Sequence, residues 1–145
     1  MAVRLRLDRF LPYRLSIASN LVSDRIARAY QALFGLTIPE WRLVAVLAEE
    51  GSITPMMLGE RTRMDKVTVS RAATALLSRG LLVRTPHVKD GRSHFLDLSP
   101  AGRELYARVA PEALKLERTL LADFSAEEVA TFTAMLRRLE AAALK

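Results

Sequence analysis

Residues 65–99 read DKVTVSRAATALLSRGLLVRTPHVKDGRSHFLDLS, and a change of period inside this stretch decides the fold. Up to Arg79 the positions Val69, Ala72, Ala73, Leu76 and Gly80 fall on one side of a helical wheel and are expected to pack inward. Asp65 offers an N-cap and Gly80 a stop after Arg79. Beyond Gly80 the helical period is lost. Leu81–Thr85 and Ser93–Leu98 read as two strands joined by a polar turn containing Asp90-Gly91.

Working outward, Thr54-Pro55 starts a short helix to about Arg61, and Thr62-Arg63-Met64 turns it into the helix after Asp65, a helix-turn-helix pattern. Thr37-Ile38-Pro39-Glu40 is a capping box for a helix from about Pro39 to Glu49, and Gly51-Ser52-Ile53 leaves room for only a very short strand. Apolar residues at helical spacing from Leu15 to Leu33 predict a long first helix over Pro12–Phe34, closed by Gly35. Ser99-Pro100 opens a fifth helix, which Pro111 is expected to kink or locally break. Ser125-Ala126-Glu127-Glu128 caps a sixth, with Val129, Phe132, Met135, Leu136 and Leu139 as its apolar row. The expected fold is mainly α with a small β-hairpin wing. A single domain spans 1–145, with a winged helix-turn-helix over 36–99 flanked by terminal helices, 1–35 and 100–145. Those terminal helices carry more apolar surface than one chain can cover, which points to a second copy.

Charge narrows the function. Between Arg61 and Arg92 there are 8 Lys/Arg against 2 acids, leaving 14 basic and 14 acidic residues in the rest of the chain. The whole excess of +6 therefore sits in 32 residues. Such concentration suits phosphate, because neutralising each phosphate releases condensed counterions. On the outward side of the helix after Asp65 stand Lys66, Val67, Thr68, Ser70, Arg71, Thr74 and Ser78, with no acid among them. Short side chains let a helix approach the major groove, arginine can take a guanine edge bidentately, and hydroxyls serve bases or phosphates. An ordinary solvated face would mix Glu with Lys. Thr54, Arg61 and Arg63 are candidate DNA-backbone contacts. In the hairpin, Lys89, Asp90 and Arg92 are candidates for the minor groove, with Asp90 bracing Arg92. An ordinary Asp-Gly turn with incidental charge is the bland alternative.

Other classes fit less well. The chain has no cysteine, which removes disulfides and thiolate chemistry, and only two histidines, His87 and His94, both near the hairpin. No metal site, cofactor, glycine-rich phosphate loop or catalytic carboxylate pair is expected, so the reading is not an enzyme. A protein-binding winged module would carry acidic or bulky residues on the fourth helix. Duplex RNA has a deep, narrow major groove that excludes such a helix. A membrane-surface protein would gather its cations on one amphipathic helix. The longest apolar run, Leu43 to Ala48, is far too short to span a bilayer, and the N-terminus lacks the pattern of a secretory signal, so the cytoplasm is the default compartment.

The chain resembles the MarR family of transcriptional regulators. The resemblance rests on Leu36–Arg42, on Asp65–Arg71 with Leu81–Arg84, and on Asp90-Gly91-Arg92-Ser93 leading into Leu98-Ser99-Pro100-Ala101-Gly102. It implies a homodimer held by the first, fifth and sixth helices, on a pseudopalindromic operator. It further implies a repressor released by a small ligand, often aromatic, with Lys66 to Thr74 as recognition positions and Arg92 as the wing arginine. For an effector such as an aromatic acid or its coenzyme A thioester, the candidates are Tyr13, Arg14, Ile17, Trp41 and Arg42. Trp41 fits core packing as well as a pocket wall, and Arg14 and Arg42 fit surface ion pairs as well as anion contacts.

Overall fold

The helix starts carry the caps that their sequences announce. In the computed structural model, which describes residues 2–86, 89 and 94–145, α1 spans Leu11–Phe34 and α2 spans Ile38–Glu50. The Thr37 hydroxyl accepts from the Glu40 amide, and the Glu40 carboxylate accepts from the Thr37 amide, both at 3.3 Å. α3 (Pro55–Thr62) starts with the Met57 amide donating to Thr54 Oγ1 at 3.2 Å. α4 (Lys66–Ser78) starts with the Thr68 amide donating to Asp65 Oδ1 at 2.7 Å. α6 (Ala126–Ala143) starts with the reciprocal pair of Ser125 and Glu128, at 2.9 and 3.0 Å. A short 3-10 turn at Leu7–Arg9, which no apolar period announces, precedes α1.

The strands β1 (Leu82–Pro86) and β2 (His94–Leu98) pair antiparallel, with Leu82 opposite Leu98 and Arg84 opposite Leu96. The very short strand expected near Ile53 is a single bridge, in which Ile53 and Leu96 exchange amide–carbonyl bonds of 3.1 and 2.8 Å. The fold is thus mainly α with a two-stranded wing. Leu36, Leu43, Val44, Leu47, Leu58, Leu76, Leu96 and Val109 are fully buried, so α2 to α4 and the base of the wing share one core. Each such leucine contributes roughly 1.5–3 kcal/mol of transfer free energy.

One expectation is corrected, and of the two outcomes expected at Pro111, a kink or a local break, the break is removed. Gly80 does not pack inward. It is exposed, with φ 71°, because the helix has already ended and a left-handed residue turns the chain so that Leu81 enters the core. The local break at Pro111 is also absent, since α5 runs from Pro100 to Leu120 with the proline inside it. Pro111 and Ala107 are both exposed, so water can take the carbonyl that loses its partner.

The first turn of α5 is seated tightly. Ser99, 6% exposed, donates its hydroxyl to the Gly80 carbonyl at 2.6 Å and accepts from the Gly102 amide at 3.0 Å. Gly102 lies so close to the Leu81 carbonyl that a Cβ there would overlap it.

The chain gathers into two compact units that meet in sequence at Val109 and Ala110. In the second, Leu114, Phe124, Phe132, Met135, Leu139 and Leu144 are exposed, and an apolar groove of about 430 Å³ is lined by Leu121, Phe124, Val129, Phe132 and Met135. Among the described residues no helix is long and apolar enough to cross a membrane.

Candidate nucleic-acid interface

α4 turns Val69, Ala72, Ala73 and Leu76 into the core, and this fixes what it turns outward. Lys66, Val67, Ser70, Arg71, Thr74 and Ser78 are exposed, while Thr68 is half-buried. Asp65 stands at the start of this face, and Glu60 of α3 lines the groove beside it. Hydrogen bonding from Thr68, with a smaller contribution from Arg71, holds the Asp65 carboxyl below the ordinary value. A depressed native pKa gives stability that is present above the unfolded pKa and lost as pH falls through the native one. Asp65→Asn keeps a cap oxygen but loses the charge. It is therefore expected to unfold at a lower temperature than the wild type at neutral pH, with the gap closing in acid. An equal gap across a pH series of thermal melts would contradict this.

The turn before α4 holds Arg63 at φ 59°, a left-handed conformation that glycine adopts without strain. Arg63 is exposed, and with Lys66 and the β1 residue Arg84 it lines an open groove of about 830 Å³ along α3, α4 and the base of the wing. Met56, Met64, Val69 and Ala73 supply apolar lining. Arg84 was not among the sequence candidates, because its place beside α4 depends on how the strand folds back. Arg61 is engaged: its Nε donates to Glu50 Oε1 at 2.7 Å, which raises the guanidinium pKa further. Thr54 is half-buried, its hydroxyl committed to capping α3. In the wing, Lys89 is exposed, whereas Asp90 and Arg92, with His87, Gly91 and Ser93, lie outside the described residues.

The ligand candidates separate into two groups. Tyr13 and Arg14 are exposed and Ile17 half-buried, all in the first turns of α1. Trp41 packs instead near the other end of that helix. Its ring meets Tyr30 edge-on at 5.7 Å and stacks on Tyr106 of α5 at 5.8 Å, with planes 14° apart. Burial pushes the Tyr30 phenol pKa up. Tyr13 and Tyr30 are 17 residues apart on one helix, about 25 Å along its axis. One chain does not bring Tyr13 and Trp41 to the same small pocket. Arg42, beside Trp41, is exposed.

The sequence profile of the MarR family matches residues 34–93, the stretch that holds α2, α3, α4 and β1. The homoprotocatechuate degradative operon repressor of Escherichia coli is 29% identical over 101 residues, 70% of this chain and 68% of that protein. A probable transcriptional regulator from Pseudomonas aeruginosa, known from its crystal structure, is 32% identical, with a TM-score of 0.81 over 92% of this chain and 99% of that one. The chain belongs to the MarR family. As a MarR-family transcriptional regulator it is also similar to PcaV of Streptomyces coelicolor, solved with its natural ligand. That likeness has 26% identity and a TM-score of 0.79, and covers 98% of this chain and 99% of PcaV.

Proposed function

We propose that this MarR-family chain is a homodimeric repressor that reads double-stranded DNA with α4 and is released by a small aromatic acid or acyl-coenzyme A type of ligand. The observation that carries the DNA reading is the acid-free exposed face of α4, set in the one region that holds the chain's net charge. Arg71, Ser70 and Thr74 read base edges in the major groove, and Lys66, Arg63 and Arg84 take phosphates. The wing residues Lys89, Asp90 and Arg92 add minor-groove affinity. Arg63 supports the assignment through its backbone, since a non-glycine residue held left-handed points to a role that offsets its strain. The repressor sense draws on the Escherichia coli relative, the existence of a ligand on PcaV, and the aromatic or anionic class on Tyr13, Arg14, Trp41 and Arg42.

Each protomer offers one α4, and two of them match an inverted repeat with half-site centres about 10 base pairs apart. A ligand that binds the DNA-incompetent spacing a hundredfold more tightly supplies about 2.7 kcal/mol of release, and operator must weaken that ligand by the same factor. The two groups, Tyr13 with Arg14 and Ile17, and Trp41 with Arg42, are separate candidate contacts. A thermal-shift screen with aromatic acids and their coenzyme A thioesters identifies the class.

The DNA reading is tested by selecting duplexes from a random pool and measuring affinity across a salt series. Arg71→Ala is expected to cost about 1–3 kcal/mol on the selected duplex and to relax one base position. Arg63→Gly is expected to raise stability by about 1 kcal/mol as the left-handed strain disappears, and to flatten the log–log salt slope by about 0.9 as a phosphate contact goes. Selection that enriches no sequence would remove the proposal.

A further inference from the structure

By position Arg79 belongs to the basic stretch, yet its donors are turned away from DNA chemistry. It caps the C-terminal end of α4, and its Nη1 donates to the Gly35 carbonyl and its Nη2 to the Phe34 carbonyl, both at 3.2 Å. Those oxygens close the C-terminal end of α1, where the last carbonyls of a 24-residue helix lack helical partners and carry its negative dipole end. The acceptor end is itself held in place. Gly35 is left-handed at φ 63°, the Leu36 amide reaches back to the Tyr30 carbonyl at 3.3 Å, and the Leu36 side chain is fully buried. On its other side the end of α4 is gripped by Ser99, whose hydroxyl bonds the Gly80 carbonyl.

We infer that Arg79 is a positioning residue for DNA recognition: its guanidinium fork fastens the end of α4 to the end of α1 and so sets the angle at which α4 is presented. The inference rests on the reading of α4 as the recognition helix. The geometry makes the angle matter. α4 is 13 residues long, about 20 Å. A tilt of about 10° about Arg79 carries the Lys66 end about 3.5 Å, one base-pair step of about 3.4 Å. The planar fork holds its two donors in a fixed relation to successive carbonyls, whereas an ammonium of the same charge, with three rotatable donors on a flexible stem, can bond them without fixing the angle.

The test compares wild type, Arg79→Lys and Arg79→Gln on a duplex selected by the wild type and on a scrambled duplex of equal length. Each is measured across a salt series well below its unfolding temperature. Both variants are expected to lose about tenfold on the selected duplex and less than about twofold on the scrambled one, with the salt slope unchanged, because no phosphate contact is lost. Global destabilisation would not produce that split in a folded protein. Equal losses on both duplexes with a slope flatter by about 0.9 would make Arg79 a phosphate contact instead. Full activity of Arg79→Lys, or unchanged affinities in both variants, would also overturn the inference while leaving the DNA reading intact. A wild type that distinguishes no duplex would sink the DNA reading and this inference with it.

Discussion

Replacing Phe132 and Met135 together by glutamate is expected to convert the protein to monomers in sedimentation at micromolar concentration. Phe132, Met135 and Leu139 are exposed on α6, with Leu136 half-buried between them, at the spacing that makes a single helical stripe. Phe132 and Met135 also line the apolar groove of the second unit. A stripe of this kind is expensive to leave in water and fits a self-complementary contact, in which each residue occurs twice. A carboxylate buried there without a partner costs about 3 kcal/mol or more; the dimer would carry four of them, and even half of the summed cost, about 6 kcal/mol, lowers dimer affinity roughly 10⁴-fold. Because the substitutions lie outside the first unit's core, far-ultraviolet dichroism should remain helical. A dimer that persists unchanged would move the self-association surface elsewhere.

Gly102→Ala is expected to be the most damaging glycine-to-alanine change among the described residues. The added Cβ meets the Leu81 backbone carbonyl, which cannot swing aside as a side chain could. That carbonyl also accepts the Ser99 amide at 3.0 Å, and Ser99 in turn bonds both Gly80 and Gly102. Moving α5 away to admit the methyl would break this group of bonds and uncover Leu105, which is 2% exposed. Overpacking of buried sites costs about 1–3 kcal/mol, and a clash with backbone belongs at or above the upper end. Urea unfolding reads the loss directly. A midpoint equal to wild type would mean that the α5 start relaxes at no cost.

What was legible in the sequence was local. Capping boxes at Thr37 and Ser125 and the caps at Thr54 and Asp65 join residues three apart, so the chain alone specifies them. The outward face of α4 followed from the same 3.6-residue period, with Thr68 less exposed than the wheel implied. What escaped was set by neighbours distant in sequence. Nothing near Arg79 announces that its partners are 44 and 45 residues away, and nothing near Trp41 announces Tyr106. Tyr13 and Trp41 stand together among the candidates by residue type, and the rise of a helix sets Tyr13 about 25 Å from Tyr30, the neighbour of Trp41, within one chain. Of the kink or break expected at Pro111 the break does not occur, because the exposed flank lets water take the carbonyl that loses its amide partner.

Trp41 is the chain's one tryptophan, and its ring lies against tyrosines from two other helices. Its emission is therefore a label already built into the joint where α1, α2 and α5 meet. Excitation absorbed by Tyr30 or Tyr106 has a short path to the indole, so the ratio of emission excited at tyrosine and at tryptophan wavelengths falls when either ring moves well away from Trp41. Any molecule that pries α1 or α5 away from Trp41 of α2 would dim that transfer. The unmodified protein can thus report the opening of its own joint as a change of light, without a dye and without DNA in the cuvette.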